Sequence, residues 1–575
     1  MKLMKPHTTI FPNLLRTTLT AGLLFTTVAA TTAKDHVLTI GGGYSPAGNQ
    51  ISLERNVVFF RKLLGEQLPQ TTAHDIFFAD GNSKNADLQY VPEKNEVPKA
   101  NRIAAMLFGR EDYLDLKYRN TELGKVNGVS SPENITKWFK ETGSQLKSGD
   151  RLILYVTAHG GRSRQKDNPH HTTLMMWNGE WLTASALAGH IKTLPKGVSV
   201  FTVMVQCYSG GFSHLIFNEN NVKKGDSERD ICGFYSTVHN RLAAGCTPEI
   251  NEENYDEYSS HFWAALRGKS RTDKSVESAD YDGSGEVSFE EAHAFAVLVS
   301  RNVDVPVKTS DAYLRAHSRL QKPAKKTEDS KGKEKEKPAK KAKDTDKEKT
   351  DEEKAKAIVK AKALSEEREK EKHLLSRKTP YFKLLSLARP VELATLEGLT
   401  GQLGLTGNGR IKKAEEAAAA LEKERKDLAN KDKELKKQYE SAKKAVRTDL
   451  RNRWPDLSNT LSPGALRLLT SDAGEFVKAA ESHEKFKELT KLFKDHKEIE
   501  GKRFELDKKW AWHQRFLRAV DNIALAANLP RLADEKVLAR YQRLLDAEST
   551  SLRSPLVSHS VIAEETKTEA KKAGS

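Results

Sequence analysis

Residues 198–212 read VSVFTVMVQCYSGGF. A run of β-branched and aromatic residues without Gly or Pro is the pattern of a strand buried on both faces, and it gives way at Gln206-Cys207 to a turn of small residues. Cys207 is therefore expected at the carboxyl end of a strand. An earlier apolar run, 151–158 (RLILYVTA), stops in the same way at His159-Gly160-Gly161. As parallel neighbours, two such strands would set a thiol and an imidazole over one crevice at the carboxyl edge of an open α/β sheet, where such sheets bind ligands.

Working outward, residues 34–318 alternate between strand and helix patterns. Strands are predicted at 36–42, 75–78 and 232–238, and helices at 53–64, 99–108, 134–146, 184–193 and 260–267. This is a doubly wound α/β pattern, a mainly parallel sheet flanked by helices. With 575 residues the chain has room for two or more domains. Its charged fraction of 30% and net charge of +16 are unevenly spread. Most of the excess Lys follows residue 320, so the basic character belongs to the tail rather than the fold.

Residues 1–33 have the form of an export signal: Lys2, Lys5 and Arg16, an uncharged run over 17–30, then small residues around Ala30 and Ala33. Cleavage would leave a secreted or periplasmic protein beginning near Lys34. That run is too short to span a bilayer, and no later segment is apolar enough to do so. Cys207, Cys232 and Cys246 are the only cysteines. An odd count in an exported chain allows a Cys232–Cys246 bridge with Cys207 free, or three unpaired thiols.

The His-Gly pair after one apolar strand and Cys207-Tyr208-Ser209-Gly210 after the next, some fifty residues on, resemble the caspase and legumain clan of cysteine peptidases, over about half the chain. The resemblance implies a caspase-like fold and cleavage of a protein or peptide substrate. Cys207 would be the nucleophile and His159 its base, with the N–H groups of Gly160 and Cys207 at the developing oxyanion. Asn49 falls where legumains carry a third residue that orients the histidine. Ser236 and Asp256 lie in segments resembling those that line the pocket for the residue before the scissile bond, which would favour Asn or a basic side chain there. The family's basic pocket residue has no counterpart, since 50–54 read QISLE. The competing expectation is a noncatalytic exported scaffold.

Residues 280–291 read DYDGSGEVSFEE, the spacing of a twelve-residue EF-hand loop. Its calcium ligands would be Asp280, Asp282, Ser284, the Glu286 carbonyl, Ser288 and Glu291, with Gly285 at the sharp turn and Val287 as apolar anchor.

Residues 319–378 are mostly Lys, Glu, Ala and Asp, too polar to offset ordering entropy, and are expected to be a disordered linker. Nucleic acid is not expected as a partner, because acids are interleaved and aromatics are lacking; an anionic envelope suits the basic tail better. Residues 379–575 are expected to be helical. Leu421, Leu428 and Leu435 recur every seventh residue in a long helix over 411–454, but Arg425 and Asp432 break the seam, giving half a coiled-coil pattern. A bundle with helices at 504–529 and 537–545 follows, punctuated by Pro455 and Pro530. With a linker between the two regions, truncation after about Leu320 is expected to spare the α/β part.

Overall fold

A computed structural model describes residues 33–69, 72–94, 96–322 and 369–554. The expected export segment and the body of the expected linker, 1–32 and 323–368, lie outside the described residues. The strands are β1 (Asp35–Gly42), β2 (Ala73–Phe78), β3 (Leu88–Tyr90), β4 (Lys117–Arg119), β5 (Arg151–Gly161), β6 (Thr173–Met175), β7 (Trp181–Thr183), β8 (Ser199–Met204), β9 (Ile231–Tyr235) and β10 (Val307–Lys308). The main sheet runs β10-β9-β8-β5-β1-β2. It is parallel except for β10, which pairs antiparallel with β9 at the edge.

Alternation along the central strands decides what covers each face. Leu152, Leu154 and Val156 of β5 join a core with α3 (Pro132–Glu141), α4 (Ala184–Thr193) and α7 (Thr309–His317). Ile153 and Tyr155 point the other way, towards α1 (Ile51–Gln67), α5 (Tyr258–Arg267) and α6 (Phe289–Val299). The chain is thus mixed α/β, with helices on both faces of a mainly parallel sheet. Among the described residues no helix is long and apolar enough to cross a membrane.

Several details differ from the expectations. β5 does not stop before His159: residues 159–161 continue and pair antiparallel with β6, which forms a hairpin with β7. β8 conversely ends at Met204, before Cys207. The three cysteines are free, because Cys232 points from β9 into a helix-covered core while Cys246 is exposed on a loop.

The largest departure is the C-terminal region. After α2 (Lys99–Phe108) and the α/β helices come α8 (Tyr381–Leu385), α9 (Pro390–Gln402), α10 (Arg410–Arg453), α11 (Pro463–Leu468), α12 (Ala473–Ser482), α13 (Phe486–Leu532) and α14 (Glu535–Glu548). α10 and α13 pack along each other as a long hairpin. Asp432, at the break in the leucine repeat, is buried between them and accepts from Arg503 of α13 at 3.2 Å. α14 packs Val537, Leu538 and Tyr541 beside Leu525 and Leu529 of α13, and its Leu544 enters the sheet core.

Nor is the region a separable appendage. Arg515 of α13 is buried and donates to the carbonyl of Val297 in the last turn of α6 and to those of Ser300, Asn302 and Asp304 in the segment after it. Glu548 is fully buried and accepts from the Ser310 N–H at 2.9 Å and from the hydroxyls of Thr309 and Ser310, thereby capping α7. Arg151, at the start of β5, is paired with Asp35 and donates to the carbonyls of Ser551, Leu552 and Ser554. Each of these bonds satisfies polar groups that would otherwise be buried without partners.

Candidate active site and acidic loop

β1 leads outward to β2 on one side, while the chain returns to β5 on the other, so the topological switch point lies between β1 and β5. His159 lies in β5 at that point, where the strand passes beyond its pairing with β8 and begins to pair with β6. Counting on from the pair Val156↔Met204 brings His159 level with Cys207. The glycine between them is dictated by crowding: a Cβ on Gly160 would lie 2.0 Å from the Cys207 carbonyl oxygen. Tyr208 then turns the chain with φ +61°, and residues 209–216 form a 3₁₀ turn. Gly210 and Gly211 are required less by their own backbone angles than by close neighbours, the Thr237 carbonyl oxygen at 2.5 Å and the Thr172 hydroxyl at 2.1 Å from a built Cβ.

The imidazole of His159 is held by the loop after β1. Its Nε2 lies 2.8 Å from the Gly48 carbonyl and 2.9 Å from Gln50 Oε1. Both partners are acceptors, so Nε2 carries the proton and Nδ1 is left as a base. Burial pushes its pKa below the ordinary histidine range, with the Gly48 bond opposing, and the ring is neutral at pH 7. Tyr44 packs edge-on against it, ring centres 5.2 Å apart.

Asn49 does not touch His159. Its side chain accepts from the Gly43 N–H and donates to Asp87, buried inside the loop whose neighbouring residues hold the imidazole. Its effect on the histidine is therefore indirect, and Gln50, read from sequence only as part of a mismatch, is the side chain in contact.

Cys207 is half-buried. Its sulfur accepts from the Ala243 N–H at 3.3 Å and lies 3.9 Å from the Ala243 carbonyl. Burial pushes the thiol up to about 12, with Cys246 nearby adding to the effect, so it is protonated at neutral pH. Thiol and imidazole share no hydrogen bond. The site can run general-base chemistry, in which Nδ1 removes the thiol proton as sulfur attacks, rather than starting from a thiolate ion pair.

The expected pocket residues are placed otherwise. Ser236 is fully buried and its hydroxyl pairs with that of Ser209 at 3.1 Å, so it braces the turn after Cys207 instead of facing an open pocket. The carboxylate of Asp256 is already bonded to His261 at 2.8 Å and to the Arg301 N–H. Burial pushes Asp256 up, but the bond and charge of His261, the Arg301 N–H and the Arg515 charge together hold the carboxyl below its usual range. No contact links Asp256 to Cys207 or His159.

The acidic loop brings three of its expected ligands together. Carboxylate oxygens of Asp280, Asp282 and Glu291 lie within 4.8 Å of one another. Gly285 has φ +89°, and Val287 packs against the adjacent core. Glu291 is buried, accepting from the N–H groups of Tyr281 and Asp282 with one oxygen and from Ser288 with the other. Ser288 caps α6 and its hydroxyl is committed there. Ser284 donates to the Glu286 carbonyl. Three converging carboxylates could hold a hard dication such as Ca²⁺.

Sequence reading missed a cluster of His170, His214 and His239, in which the first two rings stack and the third lies tilted against His170 although the residues are far apart in the chain. Only the fold brings them together, and no spacing signals them.

No family model matches this chain, and no curated protein matches it. A crystal structure of a protein from Geobacter sulfurreducens is matched at 11% identity and a TM-score of 0.25, over 45% of this chain and 88% of that one. A likeness that low carries no argument about function.

Proposed function

We propose that the protein is a cysteine peptidase of caspase- and legumain-like type, exported and acting on protein or peptide substrates. The observation that supports it is the state of His159: Nε2 is occupied by two acceptors and, among the described residues, Nδ1 has no hydrogen-bond partner, at a position in β5 level with Cys207 and at the sheet's switch point. Cys207 Sγ attacks the scissile carbonyl carbon while His159 Nδ1 takes the thiol proton. The imidazolium then gives that proton to the departing amine, leaving a thioester. Water attacks the thioester, His159 again accepts the proton, and sulfur recovers it as the carboxylic product leaves. For the residue before the scissile bond, the preference for Asn or a basic side chain rests on the resemblance at Asp256 alone, and that carboxylate is already engaged by His261.

Calcium belongs to the same reading, as a structural ion held by Asp280, Asp282, Glu291 and the Glu286 carbonyl. The chemistry it would supply is charge compensation for three carboxylates gathered at one turn.

A second reading, a noncatalytic scaffold, is favoured by the protonated Cys207 thiol and its engagement by Ala243. One experiment separates the two. Purified full-length protein is treated with a thiol-reactive peptide probe and, in parallel, with a peptide library. Catalysis predicts modification at Cys207 that depends on His159, and a loss of about 10⁴-fold or more in cleavage for Cys207→Ala and for His159→Ala, the double variant being no worse than either. Substantial cleavage by Cys207→Ala would reject the mechanism. Library cleavage after Asp or large apolar residues would reject the pocket preference, and N-terminal sequencing of exported protein beginning near Lys34 checks export.

A further inference from the structure

Where α10 and α13 cross the turn at 209–216 and the loop after β9, they enclose a cavity of about 600 Å³. Four guanidinium groups line it, those of Arg241, Arg315, Arg425 and Arg518. So do the imidazoles of His170, His214 and His239. The rings of His170 and His214 are stacked with centres 3.6 Å apart, and His239 lies 4.1 Å from His170. Burial pushes His170 down to about 2 and His214 to about 3, with the neighbouring basic groups adding to it, so these rings are neutral at pH 7.

The acids facing the cavity do not use up its donors. Glu422 and Asp507 hold Arg425, and Asp507 also takes Arg241 at 2.9 Å. Asp311 accepts from Asn522, which in turn accepts from Arg315. Arg518 makes no hydrogen bond or ion pair among the described residues, and its Nε is buried without a partner. His170 Nδ1 is likewise buried and unpaired. His214 is only 8% exposed, and among the described residues neither ring nitrogen has a hydrogen-bond partner. The ring of Trp510 lies 4.4 Å beneath the Arg241 guanidinium and 5.5 Å from that of Arg425, which holds both forks in place before any ligand arrives.

We propose that this cavity is a binding site for a multiply charged phosphate-bearing anion. Guanidinium forks and imidazole N–H groups are donors matched to phosphate oxygens, and such an anion brings many acceptors and hardly any donors. The volume lies within the range of small-molecule sites, roughly 300–1,000 Å³, and exceeds what a single phosphate needs. An anion there would also let the three histidines take up protons that their present surroundings refuse. The site is separate from the Cys207 edge and stands or falls independently of peptidase activity.

The test is isothermal titration calorimetry of the full chain at low ionic strength with orthophosphate, pyrophosphate, tripolyphosphate, citrate and a nucleoside triphosphate. The proposal expects saturable one-to-one binding that tightens with each added phosphate. It also expects affinity to weaken about tenfold or more in Arg518→Gln and in Arg315→Gln, charge-assisted bonds to phosphate being lost in each. Arg315 is exposed, so its variant folds even if Arg518→Gln does not. A nucleoside triphosphate binding tighter than tripolyphosphate would identify a nucleotide as the source, and equal affinity an inorganic chain. Absence of saturable heat, heat unchanged in both variants (which would belong to the Lys-rich stretch), or citrate binding as tightly as tripolyphosphate would overturn the proposal.

Discussion

Cys207 and His159 stand level without touching, and the protonation states on either side of that gap predict a pH profile. The base is a neutral imidazole whose pKa lies below its ordinary 6.5, and the thiol loses its proton only near 12. Activity should therefore be flat through neutral pH and fall as pH drops below 6.5, where Nδ1 takes up its proton. No alkaline limb is expected until well above pH 9. Alkylation by iodoacetamide should be slow at pH 7 and keep accelerating past pH 9, because the thiolate fraction is still rising. An alkylation midpoint below pH 7 would instead reveal a preformed thiolate–imidazolium pair and contradict the general-base route.

At the scale of elements, the acidic loop and α6 form one device, since Glu291 serves both the loop amides and the Ser288 cap. Calcium at about 10 mM should stabilise the chain by about 1.5–3 kcal/mol if its dissociation constant lies near 10⁻⁴–10⁻³ M. The exposed Asp282→Asn variant should retain the fold and lose most of that gain in a thermal melt. A melt indifferent to both calcium and chelator would remove the ion from the account. The acidic cluster was legible because its residues lie within twelve positions of one another, and the β1, β5 and β8 strands were legible because burial on both faces leaves apolar runs. The β6–β7 hairpin was not, since three-residue strands carry too little pattern to stand out. Ser236 was misread as a pocket residue because sequence does not tell a serine that faces a substrate from one that faces Ser209. Arg515 and Glu548 looked like ordinary charged residues on helices, and only the fold gives them buried partners.

For the whole molecule, the buried bonds of Arg515, Glu548 and Arg151 reverse the expectation that the tail can be removed. Truncation after Leu320 leaves Arg151 its Asp35 partner but strips its carbonyl acceptors and the Glu548 cap at the start of α7, and it uncovers Val297 and Leu298, which share a core with α8, α9 and α13. Each buried polar group left without a partner costs about 1–3 kcal/mol, to which the uncovered apolar surface adds, so the truncated chain should be insoluble or should melt far below the full one. A soluble, cooperatively melting truncation would show the two regions to be independent. Stability should also depend on pH through the buried histidines. His74, His170, His214 and His293 are held at about 4, 2, 3 and 3, chiefly by burial, against an ordinary value of 6.5. The unfolded chain binds more protons than the folded one below pH 6.5, so their contribution is complete above that value and is lost progressively as pH falls towards 4 and below. Melting temperatures measured from pH 8 to pH 4 should be level at first and then decline. A rise on acidification would contradict the burial of these rings.

The bonds from Arg151 to the carbonyls near the chain's end also set an order of events in time. The strand carrying that guanidinium leaves the ribosome some 400 residues before the backbone that receives it. At about 5–20 residues per second, the gap is roughly 20–80 s. Throughout that interval β5 can pair with β1, but the layer over its amino end has no occupant. The nascent sheet therefore waits half-roofed, within reach of chaperones, until synthesis is nearly complete.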